Sequence, residues 1–428
     1  MSKFIGVDTS SIDNVNGFFS TQGGGISPVP VTTDTGVVVC PYNLTPYGPF
    51  SKAETSSYNN PINMLQLSTI TGVQKISQNT NTWAVLTTNG EVHAGCWNVA
   101  NSIGVNSTDA FDVQNNGGLV QSLTGVSKLA HHSNGMWAIK TDGTLWWSGN
   151  ISSYLDNAGT GQTYTNSQYK WTQVGTDTDW IDIASDWNYP WTAIAIKGTS
   201  GSQYLYSCGY NANYASGLGT NSGSTRQWTR VKSAASTDLS ESFAEVTISY
   251  ASCLAVTESG KLFSWGENGY GPLGDGTTTD KPYATQVGTD TDWSKGWVHR
   301  FGGFVMKTDG SLYMSTSFSP WRIEANTNKV FTQIGTDTDY EDIALYPTSN
   351  PMNYTVFAKK SGVWYISSGQ THDAGSWVGD TAQAATTQGS WVTVSSYMEN
   401  PPTGTIDVLF PLISYVAQAE PSIMFALS

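Results

Sequence analysis

The chain has 428 residues, with 33 acidic against 19 basic side chains and a formal charge of −14. That balance argues against a nucleic-acid backbone as partner, because phosphate recognition needs clustered Lys and Arg. No run approaches the roughly 20 apolar residues of a membrane span, so no membrane insertion is expected.

Residues 1–30 stand apart from the rest. They carry Phe4, Ile5, Val7, Ile12, Val15, Phe18 and Phe19 ahead of Gly23-Gly24-Gly25. An apolar-studded segment before a glycine hinge is either a docking arm that orders on a partner or an extra strand along the side of the main domain. Its apolar stretch is too short and interrupted for a signal peptide, so synthesis and folding in a cytoplasm are expected.

From residue 31 onward the chain is built from one unit. In TDTGVVVCPYN, residues 33–43, a turn and a second hairpin strand are legible without a first strand. Complete copies follow: TWAVLTTNGEVHAG, MWAIKTDGTLWWSG, TAIAIKGTSGSQYLYSCG, CLAVTESGKLFSWG, FVMKTDGSLYMS and TVFAKKSGVWYIS. Each is an apolar strand, a tight turn and a returning strand. The turn glycines Gly90, Gly143, Gly201, Gly260, Gly310 and Gly362 are 50 to 59 residues apart. That period fits one blade of a β-propeller. Gly36 keeps it at the start, while SIMFALS, residues 422–428, is a first hairpin strand at the other end. The termini are therefore expected to share one blade, which removes a free sheet edge. The fold class expected is all-β, a seven-bladed β-propeller with one blade shared between N- and C-terminal strands, occupying residues 31–428 after an N-terminal arm.

Aromatic residues equal the charged ones, at 12% each. Trp83, Trp137, Trp146 and Trp265 are expected to pack between sheets, although a surface built to contact other proteins would use aromatics too. Cys40, Cys96, Cys208 and Cys253 are widely spaced with no C-x-x-C pair, which favours buried thiols over disulfides or zinc. The connector Asp-Thr-Asp at Asp177/Asp179, Asp290/Asp292 and Asp337/Asp339 lacks the pattern of a calcium loop, and Asx-type turns are the expectation. His131 and His132 are neighbours on a strand and face opposite ways, so they do not chelate one ion easily; His132-Ser133 reads as structural. GYGPLGDGT, residues 269–277, has neither the lysine nor the spacing of a phosphate loop, and no G-x-S-x-G elbow occurs. Nothing assembles an acid, a base and a nucleophile. No catalytic residue, metal or cofactor is expected, and the protein is read as non-enzymatic.

Near the C-terminus GSWVTVSSYM, residues 389–398, reads as the first strand of the shared blade. The apolar run IDVLFPLISYV then falls in an insertion of about 397–421. Val408, Leu409 and Phe410 in it form either a hairpin projecting from a rim as a docking site or padding for ring closure. Tyr47, Tyr210 and Tyr270, each beside Gly or Asn after a returning strand, are candidates for surface or glycan contact, with loop packing as the alternative.

The unit around Gly260 carries more. Trp265, Gly266, Asn268, Gly271, Leu273, Gly274 and Pro282 make a strand, T-x-G turn, strand and W-G-x-N-x-x-G-x-L-G pattern. It resembles the regulator of chromosome condensation repeat family, whose fold is a seven-bladed propeller. The VGTDTDW connectors are similar to those of bacterial members. The resemblance covers roughly residues 33–428, most closely around Gly260. The acidic charge argues against carrying over the chromatin role of the eukaryotic namesake, and propellers host unrelated functions. The arm FIGVDTSSIDNVNGFF is similar to structural proteins of tailed bacteriophages infecting marine cyanobacteria. What this second resemblance implies is a virion protein, assembled in the host cytoplasm. It would dock on other virion structural proteins of the tail, baseplate, neck or capsid surface through Phe4, Ile5, Val7, Ile12, Phe18 and Phe19 or the C-terminal insertion, with loops free to meet a host receptor or glycan. The alternative is a glycan- or protein-binding propeller, an inhibitor or scaffold outside any particle.

Overall fold

The hairpins of the sequence become antiparallel sheets in a computed structural model of the chain. It describes residues 38–39, 73–78, 82–96, 120–132, 135–149, 168–185, 192–317, 328–345, 355–368, 392–393, 406–412 and 422–427. Six sheets have four strands each, in chain order. Blade 1 holds Val73–Gln78, Thr82–Thr87, Val92–Cys96 and Val120–Leu123. Blade 2 holds Val126–His132, Gly135–Lys140, Leu145–Gly149 and Gln168–Gln173. Blade 3 holds Trp180–Ser185, Thr192–Thr199, Ser202–Tyr210 and Ser224–Arg230. Blade 4 holds Phe243–Ser249, Ser252–Thr257, Leu262–Gly266 and Lys281–Gln286. Blade 5 holds Trp293–His299, Gly302–Lys307, Leu312–Ser315 and Thr332–Gln333. Blade 6 holds Tyr340–Leu345, Thr355–Lys360, Val363–Ser368 and Val392–Thr393.

A three-stranded sheet closes the ring. Ile406–Leu412 pairs with Ser422–Leu427, which pairs with Val38–Val39 from the other end of the chain. Val38 sits opposite Ala426 and Val39 opposite Phe425. The first strands pack successively from blade 1 to this seventh sheet, whose first strand returns to that of blade 1. The termini share a blade, as the repeat requires.

Two C-terminal expectations change. Val392–Thr393, in the GSWVTVSSYM stretch, is the outer strand of blade 6, paired with Ile366 and Tyr365, and not the start of the next blade. That start is Ile406–Leu412, laddered from Ile406 opposite Leu427 to Leu412 opposite Ser422. The apolar IDVLFPL run is therefore an inner blade strand instead of a projecting hairpin.

Aromatic rings fill the spaces between sheets. Trp137 and Trp265 are fully buried. Trp137 packs against Trp147 and Trp228, with ring centroids 4.5 and 5.4 Å away, and Trp228 lies 5.1 Å from Trp180 of blade 3. Trp265 also donates its indole N–H to the Ala215 carbonyl at 2.9 Å, which ties blade 4 to the loop of blade 3. The side chain of Trp83 and Cys96 lie outside what is described, as does Cys40; Cys208 and Cys253 are buried free thiols.

Each inner strand also bends at the same place. The register slips after the first residue, between Val73 and Lys75, Val126 and Lys128, Trp180 and Asp182, Phe243 and Glu245, Trp293 and Lys295, Tyr340 and Asp342, and Ile406 and Val408. A bulge re-aims the residue that follows it. Repeated around a ring, it sets one residue per blade at a common level.

Candidate functional site

Two features are built by the repeat at one end of the propeller. The first is an acidic rim. The turn glycine between strands two and three of a blade packs against the connector that enters the next blade: a Cβ at Gly143, Gly260 or Gly310 would lie 2.0, 2.2 or 2.3 Å from the carbonyl oxygen of Thr178, Thr291 or Thr338. The carbonyls of those glycines accept the N–H of Trp180, Trp293 and Tyr340 at 3.1 to 3.2 Å. Turns and connectors thus share a rim.

The Asp-Thr-Asp connectors have a different role from the expected Asx turns. Lys197, Lys307 and Lys360 stand directly opposite Trp180, Trp293 and Tyr340 in the ladder. Each lysine reaches back to both connector aspartates. Lys307 Nζ lies 2.8 Å from Asp290 and 3.1 Å from Asp292, Lys197 lies 2.6 Å from Asp177 and 3.8 Å from Asp179, and Lys360 meets Asp337 and Asp339 alike. The ammonium of Lys307 is also 4.9 Å from the centre of the Trp293 ring, with Lys197 and Lys360 set likewise over Trp180 and Tyr340. Partial burial lowers the pKa of Lys307, but the hydrogen bonds it donates to Asp290 and Asp292 outweigh it and the net shift is upward; Lys197 behaves the same way with Asp177. The lysines are largely covered while the aspartate side chains stay 42 to 52% exposed. Every clasp therefore presents two carboxylates to solvent and hides the one cation.

The Asx geometry expected at the connectors occurs at the turns. Asp142 accepts from the Thr144 N–H and hydroxyl, and Asp309 from those of Ser311. Glu258 accepts from Ser242, Gly201 and Ser200. These bonds hold all three carboxyls below the usual carboxylate range, so they remain charged on the same rim.

The second feature lies inside that rim, at the bulge. Lys75, Lys128, Asp182, Glu245, Lys295 and Asp342 occupy the equivalent position in blades 1 to 6, and Val408 in the seventh sheet. They share the central channel, since Lys75 of blade 1 interacts electrostatically with Asp182 of blade 3 and Asp342 of blade 6. Lys75, Lys128 and Lys295 are exposed and the three carboxylates half-buried, so water reaches them within a wall of protein. Lys128 pairs with Asp182 at 3.3 Å. Lys295 donates to the Glu341 carbonyl at 3.0 Å; burial pushes the Asp342 carboxyl beside it up, outweighing the charge of Lys295, which favours the ionised form. Glu245 accepts only a 3.3 Å bond from the Gly296 N–H among the described residues. Enclosure first, and then the like charge of Asp182, push the Glu245 carboxyl up to about 7, outweighing Gly296, Lys295 and Lys128. Enclosure likewise lowers the pKa of Lys75 despite Asp182.

The residues singled out in the sequence fall elsewhere. Phe4, Ile5, Val7, Ile12, Phe18, Phe19 and Tyr47 lie outside the described residues. Val408, Leu409 and Phe410 are in the inner strand of the seventh sheet, their backbone committed to its ladder. Tyr210 ends the third strand of blade 3, where its carbonyl accepts the Thr192 hydroxyl at 2.5 Å. Tyr270 packs edge-on against Phe301 at 4.5 Å, in the loop held by Asn268. Asn268 is fully buried, donates to Asp275 and to the Thr277 and Thr279 carbonyls, and accepts from the Leu273 N–H. Asn211 does the same work in blade 3 with Thr220 and Ser216, a second copy of the pattern that GYNANYASGLG already spells. His131 is buried, and enclosure pushes its pKa down to about 3, with Lys75 adding to the shift. His299 stands at the register of His132, opposite Gly302 as His132 is opposite Gly135, and is likewise buried and lowered to about 3 by enclosure and then Arg300. Among the described residues no three His, Cys, Asp or Glu side chains gather as metal ligands.

The fold is that of an all-β propeller. No known family profile matches the sequence. Solved structures similar to it include human WBSCR16, with a TM-score of 0.62 at 13% identity, covering 92% of this chain and 99% of that one. Prp20p from Saccharomyces cerevisiae gives 0.63 at 12% identity over 93% of each chain. Yeast RCC1 (Prp20) in its structure with Kap60 gives 0.63 at 11% identity, covering 93% of this chain and 90% of that one. At such identities the likeness concerns the fold. It agrees with the condensation-regulator repeat seen around Gly260.

Proposed function

We propose that this protein is a non-enzymatic, protein-binding propeller whose acidic rim receives a basic face of a partner. The observation that carries the reading is the clasp. Blades 3, 5 and 6 each hold a pair of half-exposed aspartates in fixed positions by a covered lysine and a backbone-locked turn. Rigid, pre-ordered charges lose little conformational freedom on binding and speed encounter with an oppositely charged surface. Structural neighbours lend support by analogy, since Prp20p has binding properties toward Gsp1p and histones, and yeast RCC1 (Prp20) was solved bound to Kap60. The test is co-purification of the full chain from its native extract across a salt series, with partners identified by mass spectrometry. The account expects a partner retained at low salt, and lost by the Asp177→Asn, Asp290→Asn, Asp337→Asn triple variant, which stays folded with a stability loss of no more than about 1 kcal/mol per clasp. Equal retention by that variant would remove the rim from the contact.

The narrower reading places that partner in a tailed-phage particle, with the protein a virion component. Its support is the sequence of residues 1–30, and its test is deletion of that segment. Loss of incorporation into particles from an otherwise folded propeller is the expected result. Normal incorporation would exclude the arm as the dock.

A further inference from the structure

The channel ring carries three lysines and three carboxylates, which cancel formally, yet they are not evenly matched in space. Going round from blade 1 the order is Lys75, Lys128, Asp182, Glu245, Lys295, Asp342. Two cations are neighbours, and two anions follow them. The middle pair, Lys128 and Asp182, is bridged at 3.3 Å. Lys295 is anchored on blade 6 through the Glu341 carbonyl, next to Asp342. Lys295 and Asp342 make no ion pair among the described residues either, but each has a backbone partner, the Glu341 carbonyl and the Ile343 N–H at 2.9 Å. The least satisfied groups are Lys75 on one side of the channel and Glu245, with its 3.3 Å bond from Gly296, on the other. Among the described residues no carboxylate lies within ion-pair distance of Lys75 and no cation within that distance of Glu245. The seventh sheet, which lies between Asp342 and Lys75, brings Val408 to this register position.

A structural network built only to seal the channel would be better served by closing these two groups as well, because enclosed charges are costly unless paired. Here the two stay apart, reached by water, one of each sign, on opposite walls of one opening. We infer that the channel mouth binds a small zwitterion, whose carboxylate pairs with Lys75 and whose ammonium pairs with Glu245 across the ring. The enclosure supports this, since it strengthens a salt link relative to open solvent and already disfavours the charged forms of both groups without a ligand. The inference stands on the ring alone and does not depend on what the rim binds.

The probe is a series of linear ω-amino acids from 4-aminobutanoate to 8-aminooctanoate, titrated calorimetrically into the full-length protein. Chain length then reads the span between the two groups. The expected result is saturable binding that peaks at one length, with the diamine and the dicarboxylate of that length at least tenfold weaker. Lys75→Met and Glu245→Gln should each weaken binding at least tenfold, whereas Lys307→Met, in a rim clasp, should leave it unchanged. Glu245→Gln keeps the side-chain shape, so it serves if Lys75→Met perturbs folding. Absence of binding across the series, a diamine or diacid that binds equally, or variants that bind like the wild type would each overturn the assignment.

Discussion

The clasps on the rim and the ring in the channel are made from the same materials, lysines and carboxylates at fixed positions in the blade, and they treat them in opposite ways. In the clasp of Lys307 the lysine has two carboxylates and an aromatic face within reach, and its pKa rises. In the ring Lys75 has enclosure without an ion-pair partner among the described residues, and its pKa falls. The difference teaches where the fold is self-sufficient: the clasp completes itself, and its surplus charge faces solvent, while the ring is left incomplete inside. Position on the strand decides which occurs, since the clasp lysine stands on the second strand opposite the residue that opens the first, and the ring residue follows the bulge of the first.

The largest way to break a clasp is through its backbone. Gly260 has φ +75° and would place a Cβ 2.2 Å from the Thr291 carbonyl oxygen, whereas Gly362 has φ +77° and open space. Gly260→Ala should cost about 3 kcal/mol or more in urea unfolding, from left-handed strain together with overpacking. Gly362→Ala should cost only the strain, about 1 to 2 kcal/mol. Equal losses would mean that the turn does not lock the connector.

Acid sensitivity probes the buried histidines. His131 and His299 have folded pKa values of about 3, below the ordinary histidine value of 6.5, so the unfolded chain binds protons that the folded one refuses. Their contribution is fully present above pH 6.5 and is lost as pH falls toward 3, at about 1.4 kcal/mol per pH unit for each. Denaturant titrations at stepped pH read this slope. A pH-independent midpoint over that window would contradict it.

Removing one clasp cation is milder. Lys307→Met should lose about 1 kcal/mol, with the loss shrinking as salt is added, because Asp290 and Asp292 are half-exposed. The smallest effect sharpens the other side of the comparison. Glu245 has a folded pKa of about 7, above the ordinary 4.5, so the folded protein keeps a proton the unfolded chain has released. Its contribution is present below pH 4.5 and is lost as pH rises through 7. Glu245→Gln should remove that falling component and steepen the histidine-driven rise where the windows overlap.

Much of the architecture was legible because strand, turn glycine and returning strand recur at a fixed period, and Gly36 with SIMFALS marked a shared blade. The C-terminal register was not, since IDVLFPL has no turn glycine to align it and an inner strand reads like any apolar run. The clasps were half visible: the repeated Asp-Thr-Asp was plain, but its partner is a lysine on the next strand, found only by pairing Trp293 with Lys307. The ring left a weak trace, a charge two residues after the residue that opens each blade, in V-x-K, W-x-D, F-x-E, W-x-K and Y-x-D. Single charges of mixed sign do not look like a repeat until the bulge puts them at one level. Tyr270 and Asn268 show the reverse, a loop aromatic that packs and an asparagine that organises its own loop.

The reading of the protein as a binding propeller turns on which rim meets the partner. Hydrogen–deuterium exchange on the full chain, with and without the partner that co-purifies with it, answers this directly. The account predicts slowed exchange in the connectors at 175–180, 288–293 and 335–340. Slowed exchange confined to the opposite loops at 211–223 and 267–281, with the connectors unchanged, would contradict it.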